Sequence, residues 1–140
     1  MAKILIVEDD VTFSQLLETF LKRNRHEVAI CHSIKTALTL IKQQDFQLLL
    51  LDYRLPDGVG TDVLEWLHKN MVKVPVVFMT SFNDIRTAVR TVKMGAIDYI
   101  TKPVNPDELL MIVEEALIRK ESVTPAQKED LVTGRSSEAH

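Results

Sequence analysis

Apolar and polar positions along this chain switch between two periods. Four apolar runs, Ile4-Leu5-Ile6-Val7, Val28-Ala29-Ile30-Cys31, Leu48-Leu49-Leu50-Leu51 and Val76-Val77-Phe78-Met79, have the length of strands, and Asp98-Tyr99-Ile100-Thr101 forms a fifth, more polar one. Between them apolar residues recur at helical spacing. Phe13, Leu16, Leu17, Phe20 and Leu21 follow Asp10, a candidate N-cap, and Ile34, Ala37, Leu38 and Ile41 follow Ser33. A weaker pattern, Val63, Leu64 and Leu67, follows the turn Pro56-Asp57-Gly58-Val59-Gly60. Ile85, Ala88, Val89 and Val92 follow Asn83, with Gly95 as a C-terminal stop. The last helix opens with Asn105 as N-cap, Pro106 at its first position and Glu108 three residues after the cap, and should run to about Lys120.

Five successive strand-then-helix units with short connections form a parallel sheet covered by helices on both faces. The first, third and fourth strands are nearly all apolar and suit the centre, whereas the second and fifth carry polar residues and suit the edges. This predicts an α/β fold, a flavodoxin-like doubly wound (βα)5 with a five-stranded parallel sheet in the order 2-1-3-4-5.

Composition narrows the picture little. The 140 residues, 46% hydrophobic and 26% charged, suit one globular domain over residues 1–120. From about Glu121 the apolar periodicity stops, and Pro125, Gly134 and mixed charges mark residues 121–140 as a linker. A net charge of −3 provides no basic footprint, so direct nucleic acid binding by this chain is not expected. No apolar run approaches the ~18 residues that span a bilayer, so no membrane association and a cytoplasmic location are expected. The single Cys31 cannot form an intramolecular disulfide and reads as a small buried strand residue. His26, His32, His68 and His140 are scattered and form no metal motif. Trp66 and the five methionines read as packing or surface residues.

The chemistry lies where strands end. Val7 runs into Glu8-Asp9-Asp10, Leu51 into Asp52, Met79 into Thr80-Ser81, and Thr101 into Lys102-Pro103. Carboxyl ends of parallel strands are where open α/β sheets bind ligands. Two carboxylates ~4 Å apart repel by about 4 kcal/mol at an effective dielectric near 20, and a divalent cation removes that cost. Hard oxygen donors in an open pocket favour Mg2+, which usually takes one or two carboxylates plus a phosphate oxygen. Asp52 then reads as the nucleophile of a phosphoryl transfer, with the Lys102 ammonium and the Thr80 hydroxyl placed to stabilise the equatorial oxygens. Taken singly, Asp10 could be only a cap, Asp52 a turn residue, Thr80 a strand end and Lys102-Pro103 a loop. Their joint occurrence in consistent order favours the pocket.

At these residues the chain resembles the receiver domain of two-component response regulators over residues 2 to about 120. The matching segments are Ile4 to Asp10, Leu51-Asp52-Tyr53-Arg54-Leu55-Pro56, Met79-Thr80-Ser81 and Gly95 to Pro103. The resemblance implies a signalling domain rather than an enzyme with an external substrate. In that role Asp52 accepts a phosphoryl group from the phosphohistidine of a sensor histidine kinase. It implies Asp9 as a direct Mg2+ ligand, Glu8 acting through water, and the main-chain carbonyl of Arg54 as a further ligand beside Asp52. Asp10 falls outside this acidic pair and remains the helix cap. Thr80 and Tyr99 take the switch positions, Lys102 the phosphate-binding position, and Lys102-Pro103 a bond that is cis in the family, an isomer only proline makes cheap. Two positions depart from the pattern: Val59 replaces a frequent Asp, and Ser81 stands where a small residue is usual.

A switch follows from these positions. With Thr80 and Tyr99 at the ends of adjacent strands, Thr80 turns toward the phosphate and Tyr99 enters the vacated space. The change then reaches the face of helix 4, strand 5 and helix 5, where a partner or homodimer is expected. The run Leu131-Val132-Thr133-Gly134-Arg135-Ser136-Ser137-Glu138-Ala139 resembles the start of the ATPase domain of sigma-54-dependent activators, which implies a transcriptional output. The alternatives are a stand-alone or phosphate-independent receiver-like module, and a phosphatase of the haloacid-dehalogenase type. The latter has a second Asp two residues after its nucleophile, where this chain has Arg54. Neither phosphate-binding glycine loop of nucleotide sites follows the first strand.

Overall fold

The computed structural model describes residues 2–81 and 84–122. Asn83, expected ahead of the fourth helix, and the tail from residue 123 onward, with its 131–139 segment, lie outside the described residues. The chain alternates strand and helix as its periodicity requires. The elements are β1 (Lys3–Val7), α1 (Val11–Arg23), β2 (Glu27–Cys31), α2 (Ile34–Gln43), β3 (Leu48–Asp52), a short ribbon β4 (Arg54–Leu55) and β5 (Gly58–Val59), α3 (Thr61–Lys69), β6 (Val76–Ser81), α4 (Ile85–Lys93), β7 (Asp98–Lys102) and α5 (Pro106–Ser122).

Five strands form one parallel sheet in the order β2-β1-β3-β6-β7, which is 2-1-3-4-5 when its own strands are counted. The apolar strands β1, β3 and β6 occupy the centre because both of their faces are covered. Ile4, Ile6, Leu48, Leu50, Val77, Met79 and Ile100 pack with Leu17 and Leu21 of α1 and Leu109, Ile112 and Val113 of α5. Leu5, Val7, Leu49, Leu51, Val76 and Phe78 meet Ala37 and Ile41 of α2 and Val63, Leu64 and Leu67 of α3. Each such fully buried side chain contributes about 1.5–3 kcal/mol. Cys31 is buried as expected, and burial pushes its thiol up to about 11. His26 is structural: its Nδ1 accepts the Ala2 N–H at 3.3 Å, and its Nε2 lies 3.0 Å from the Glu114 carboxylate on α5.

The helix ends follow their caps. Asp10 Oδ1 accepts the Phe13 N–H at 3.0 Å, and Ser33 Oγ accepts the Thr36 N–H at 3.2 Å. Asp84 flanks α4, but its carboxylate makes no capping bond. After α4, Gly95 adopts φ +123°, a conformation that side chains rarely tolerate. The fifth helix continues two residues past the expected Lys120, to Ser122. The β4–β5 ribbon has no counterpart in the sequence pattern, because two-residue strands leave no periodicity to detect.

At the start of α5, Asn105 Oδ1 accepts the N–H groups of Asp107 at 2.9 Å and Glu108 at 3.1 Å. Asn105→Ala removes both bonds and should cost about 1 kcal/mol, read as a lowered urea midpoint at unchanged slope. An unchanged midpoint would show that this cap adds nothing.

Candidate functional site

Strand register brings the candidate residues to one edge. Val7 pairs with Leu51, so Glu8 and Asp52 emerge side by side where β1 and β3 end, and Ser81 pairs with Lys102. Carboxylate oxygens of Glu8, Asp9 and Asp52 all lie within 4.8 Å of one another. Lys102 Nζ bridges the two buried acids, 2.7 Å from Glu8 Oε1 and 3.2 Å from Asp52 Oδ2. Glu8 is 1% and Asp52 7% exposed, whereas Asp9 faces solvent.

Each acid is held differently. Glu8 Oε2 accepts the Asp10 N–H at 3.1 Å, so both Glu8 oxygens are engaged. Its backbone is also pinned: the N–H donates to the Cys31 carbonyl, and its carbonyl lies 2.7 Å from His32 Nδ1. Among the described residues, the Asp9 carboxylate has no hydrogen-bond or ion-pair partner. Burial pushes the Glu8 carboxyl up from 4.5 to about 7, although the Lys102 and Asp10 hydrogen bonds pull the other way. Burial depresses the Lys102 ammonium, but the hydrogen bond to Glu8 and the charges of Asp52 and Glu8 outweigh it and raise its pKa.

Thr80 is 2% exposed, and its hydroxyl is the one buried side-chain polar atom among the described residues that lacks a hydrogen-bond partner. Leaving such a group unpaired costs about 1–3 kcal/mol, so it marks a place where an acceptor fits. Tyr99 is placed differently from the expectation. The β6–β7 register puts it opposite Phe78, two residues short of Thr101, the partner of Thr80. It therefore shares the Thr80 face but lies one pleat inside the strand end, half-buried against the Phe78 side of the core. The Lys102–Pro103 bond is cis, as the resemblance implies.

Three contacts around the Asp52 loop were missed in the sequence. Arg54 grips Asp84 through two 3.1 Å hydrogen bonds, and Ser81 Oγ donates to the same carboxylate at 3.2 Å. Asp57, read as a turn residue, accepts the Ile34 and Lys35 N–H groups at 2.9 and 3.0 Å and so ties the loop to the first turn of α2. Its carboxyl is lowered by those bonds. Gly60 has an ordinary φ of −56°, and its necessity is spatial. A Cβ there would come within 2.6 Å of the Phe78 ring and 2.7 Å of the Asp52 carbonyl oxygen. Only the DG/G turn composition hinted at any of these.

The donor set suits a hard divalent cation. Three carboxylates converge, one of them exposed and unpartnered, beside a buried hydroxyl and an ammonium able to meet phosphate oxygens.

Comparison with known proteins agrees with this arrangement. The response regulator receiver domain profile matches residues 4–114. The chain is 33% identical over 135 residues to the response regulator protein PilR of Pseudomonas aeruginosa, covering 96% of this chain and 30% of that protein. It is 34% identical over 126 residues to the transcriptional regulatory protein ZraR of Escherichia coli, covering 88% and 29%. The chain thus spans under a third of the length of these relatives. The solved receiver domain of the Francisella response regulator 1452 matches with a TM-score of 0.80 at 27% identity, over 86% of this chain and 99% of that one.

The raised Glu8 value sets a pH dependence. Unfolded Glu8 ionises near 4.5 and folded Glu8 near 7, so the folded state binds the proton more tightly between them. In metal-free buffer the contribution of Glu8 to stability should be greatest below pH 4.5 and decline as pH rises toward 7. Urea midpoints across that range should fall less steeply for Glu8→Gln than for the wild type, and parallel slopes would contradict the assignment.

Proposed function

The chain belongs to the response regulator receiver domain family, and from that premise we propose that Asp52 accepts a phosphoryl group from the phosphohistidine of a sensor histidine kinase. One Asp52 carboxylate oxygen forms the new O–P bond in line with the breaking P–N bond, whose electron pair leaves with the donor imidazole. Water later attacks the acyl phosphate, releasing inorganic phosphate and restoring the carboxylate. The observation that carries this reading is the convergence of Asp52, Glu8 and Asp9 on one edge with Lys102 Nζ 3.2 Å from the acceptor.

Asp9, Asp52 and the Arg54 main-chain carbonyl would hold Mg2+, with Glu8 acting through water. The free Asp9 carboxylate and the fully engaged Glu8 carboxylate support that division. When bound, Mg2+ supplies charge neutralisation for the crowded acids and the phosphoryl oxygens. Lys102 would contribute a second positive charge, and the unpartnered Thr80 hydroxyl would donate to a phosphoryl oxygen. Arg54 stands where haloacid-dehalogenase phosphatases need their second Asp, which disfavours turnover of external phosphate esters.

The acyl phosphate adds about one negative charge, and Thr80 turning toward it opens space beside Tyr99. The change would pass to the face of α4, β7 and α5, where exposed Val89, Val92, Met94 and Met111 suit a homodimer contact. Residues 1–120 would form the receiver and 121–140 a linker leading into the ATPase domain of a sigma-54-dependent activator. Similarity to under a third of the transcriptional regulatory protein ZraR supports a transcriptional output. Among the described residues no helix is long and apolar enough to cross a membrane.

Incubation with acetyl phosphate and Mg2+, followed by intact-mass measurement, tests the acceptor. Asp52→Asn should lose the covalent adduct and Asp57→Asn should keep it; equal labelling of Asp52→Asn would overturn the assignment. A charge-assisted hydrogen bond of about 1.5–3 kcal/mol shifts a two-state balance about 10- to 150-fold. Thr80→Val should therefore still take label, yet lose most of the phosphorylation-dependent amide shifts over residues 84–118. Full wild-type shifts in that variant would remove Thr80 from the switch.

A further inference from the structure

We propose that Phe13 is a positioning residue of the phosphoryl site, its ring face holding the Lys102 ammonium against Glu8 and Asp52. The inference rests on the function proposed above and adds a residue to the same site.

An ammonium carries three N–H donors. Two of them are directed at Glu8 Oε1 and Asp52 Oδ2, at 2.7 and 3.2 Å. Nζ also lies over the Phe13 ring, 5.0 Å from the centroid, where the negative face of the π system attracts a cation. The ring is not a surface flap. Phe13 is the third residue of α1, half-buried and packed on the cluster that contains Ile4, Ile6 and Leu17.

Its backbone belongs to the same network. The Phe13 N–H donates to Asp10 Oδ1 at 3.0 Å, the Asp10 N–H donates to Glu8 Oε2 at 3.1 Å, and the other Glu8 oxygen accepts from Lys102. Glu8, Asp10, Phe13 and Lys102 thus close a circuit in which each member is fixed by the next. Lysine has a flexible four-carbon stem, and Lys102 retains 29% side-chain exposure, so without the ring its ammonium can turn toward water. A held ammonium is already in place for the oxygens of the arriving phosphoryl group. Leucine would fill the apolar volume of Phe13 but offers no π face.

The test uses the full chain as wild type, Phe13→Leu and Phe13→Tyr, with acetyl phosphate as donor at saturating Mg2+. Phe13→Leu should label about three- to tenfold more slowly. Its Mg2+ affinity should be unchanged, and the Lys102 Cε protons should lose their ring-current shift. Phe13→Tyr, which keeps the ring, should restore both the rate and the shift. Equal rates in Phe13→Leu and wild type would overturn the inference. Equal slowing in both variants with lowered melting temperatures would also overturn it, by showing a packing role only. Should wild type take no label, the phosphoacceptor reading falls, and the ring contact is judged by the Lys102 resonance: no shift change in Phe13→Leu overturns it.

Discussion

Everything in this molecule is arranged around a charge problem at one edge of its sheet. Glu8 and Asp52 are buried next to each other, and Asp9 adds a third carboxylate within 4.8 Å. Lys102 offsets one of these charges by contacting both buried acids. With all four groups ionised, three carboxylates against one ammonium leave a formal charge of −2, the complement of one divalent cation. Burial at this edge is what chiefly lifts the Glu8 carboxyl to about 7, and the neighbouring Asp52 charge adds to it.

Such a site survives only on a rigid support. The three central strands are buried on both faces, and the side chains from Leu48 to Leu51 are fully shielded from solvent. Parallel register then makes four strand ends coincide, so the energy of packing the core is what forces like charges together. The same logic explains Gly60. The loop leaving Asp52 returns so close to β3 and Phe78 that no Cβ fits, and the Asp52 carbonyl lies against that glycine.

Strand positions, sheet order, caps and the acidic cluster were legible in the sequence because each leaves a local signature. Apolar runs report burial on both faces, Asp10, Ser33 and Asn105 precede helical periodicity, and polar residues directly follow apolar runs. The β4–β5 ribbon, the Arg54–Asp84 pair and the Asp57 contact to α2 were not legible. The ribbon pairs only Arg54 with Val59 and Leu55 with Gly58, too few residues to leave a period, and the other two contacts join residues 22 to 30 positions apart, where nothing in spacing or hydropathy records a partner. Tyr99 fell between these cases. Its strand was clear, but a register fixed by pairing across β6 and β7 decided which pleat it occupies. The empty hydrogen-bonding capacity of Thr80 likewise emerges only once its neighbours are known.

The loop after Asp52 has two attachments of unlike character. Asp57 joins it to α2 through backbone N–H groups at the helix start, and Arg54 joins it to Asp84 at the start of α4 through an exposed ion pair. Exposed ion pairs contribute little because water and salt screen them. Asp84 also forgoes its capping bond to α4 while it holds Arg54 and Ser81. The α4 side is therefore the weakly held one, whereas the sheet and the α2 contact resist movement. Phosphorylation of Asp52, as proposed, would add negative charge two residues from Arg54, whose guanidinium restrains Asp84. In the proposed reaction the response should accordingly run toward α4 rather than α2, because the same electrostatic change meets less opposition there.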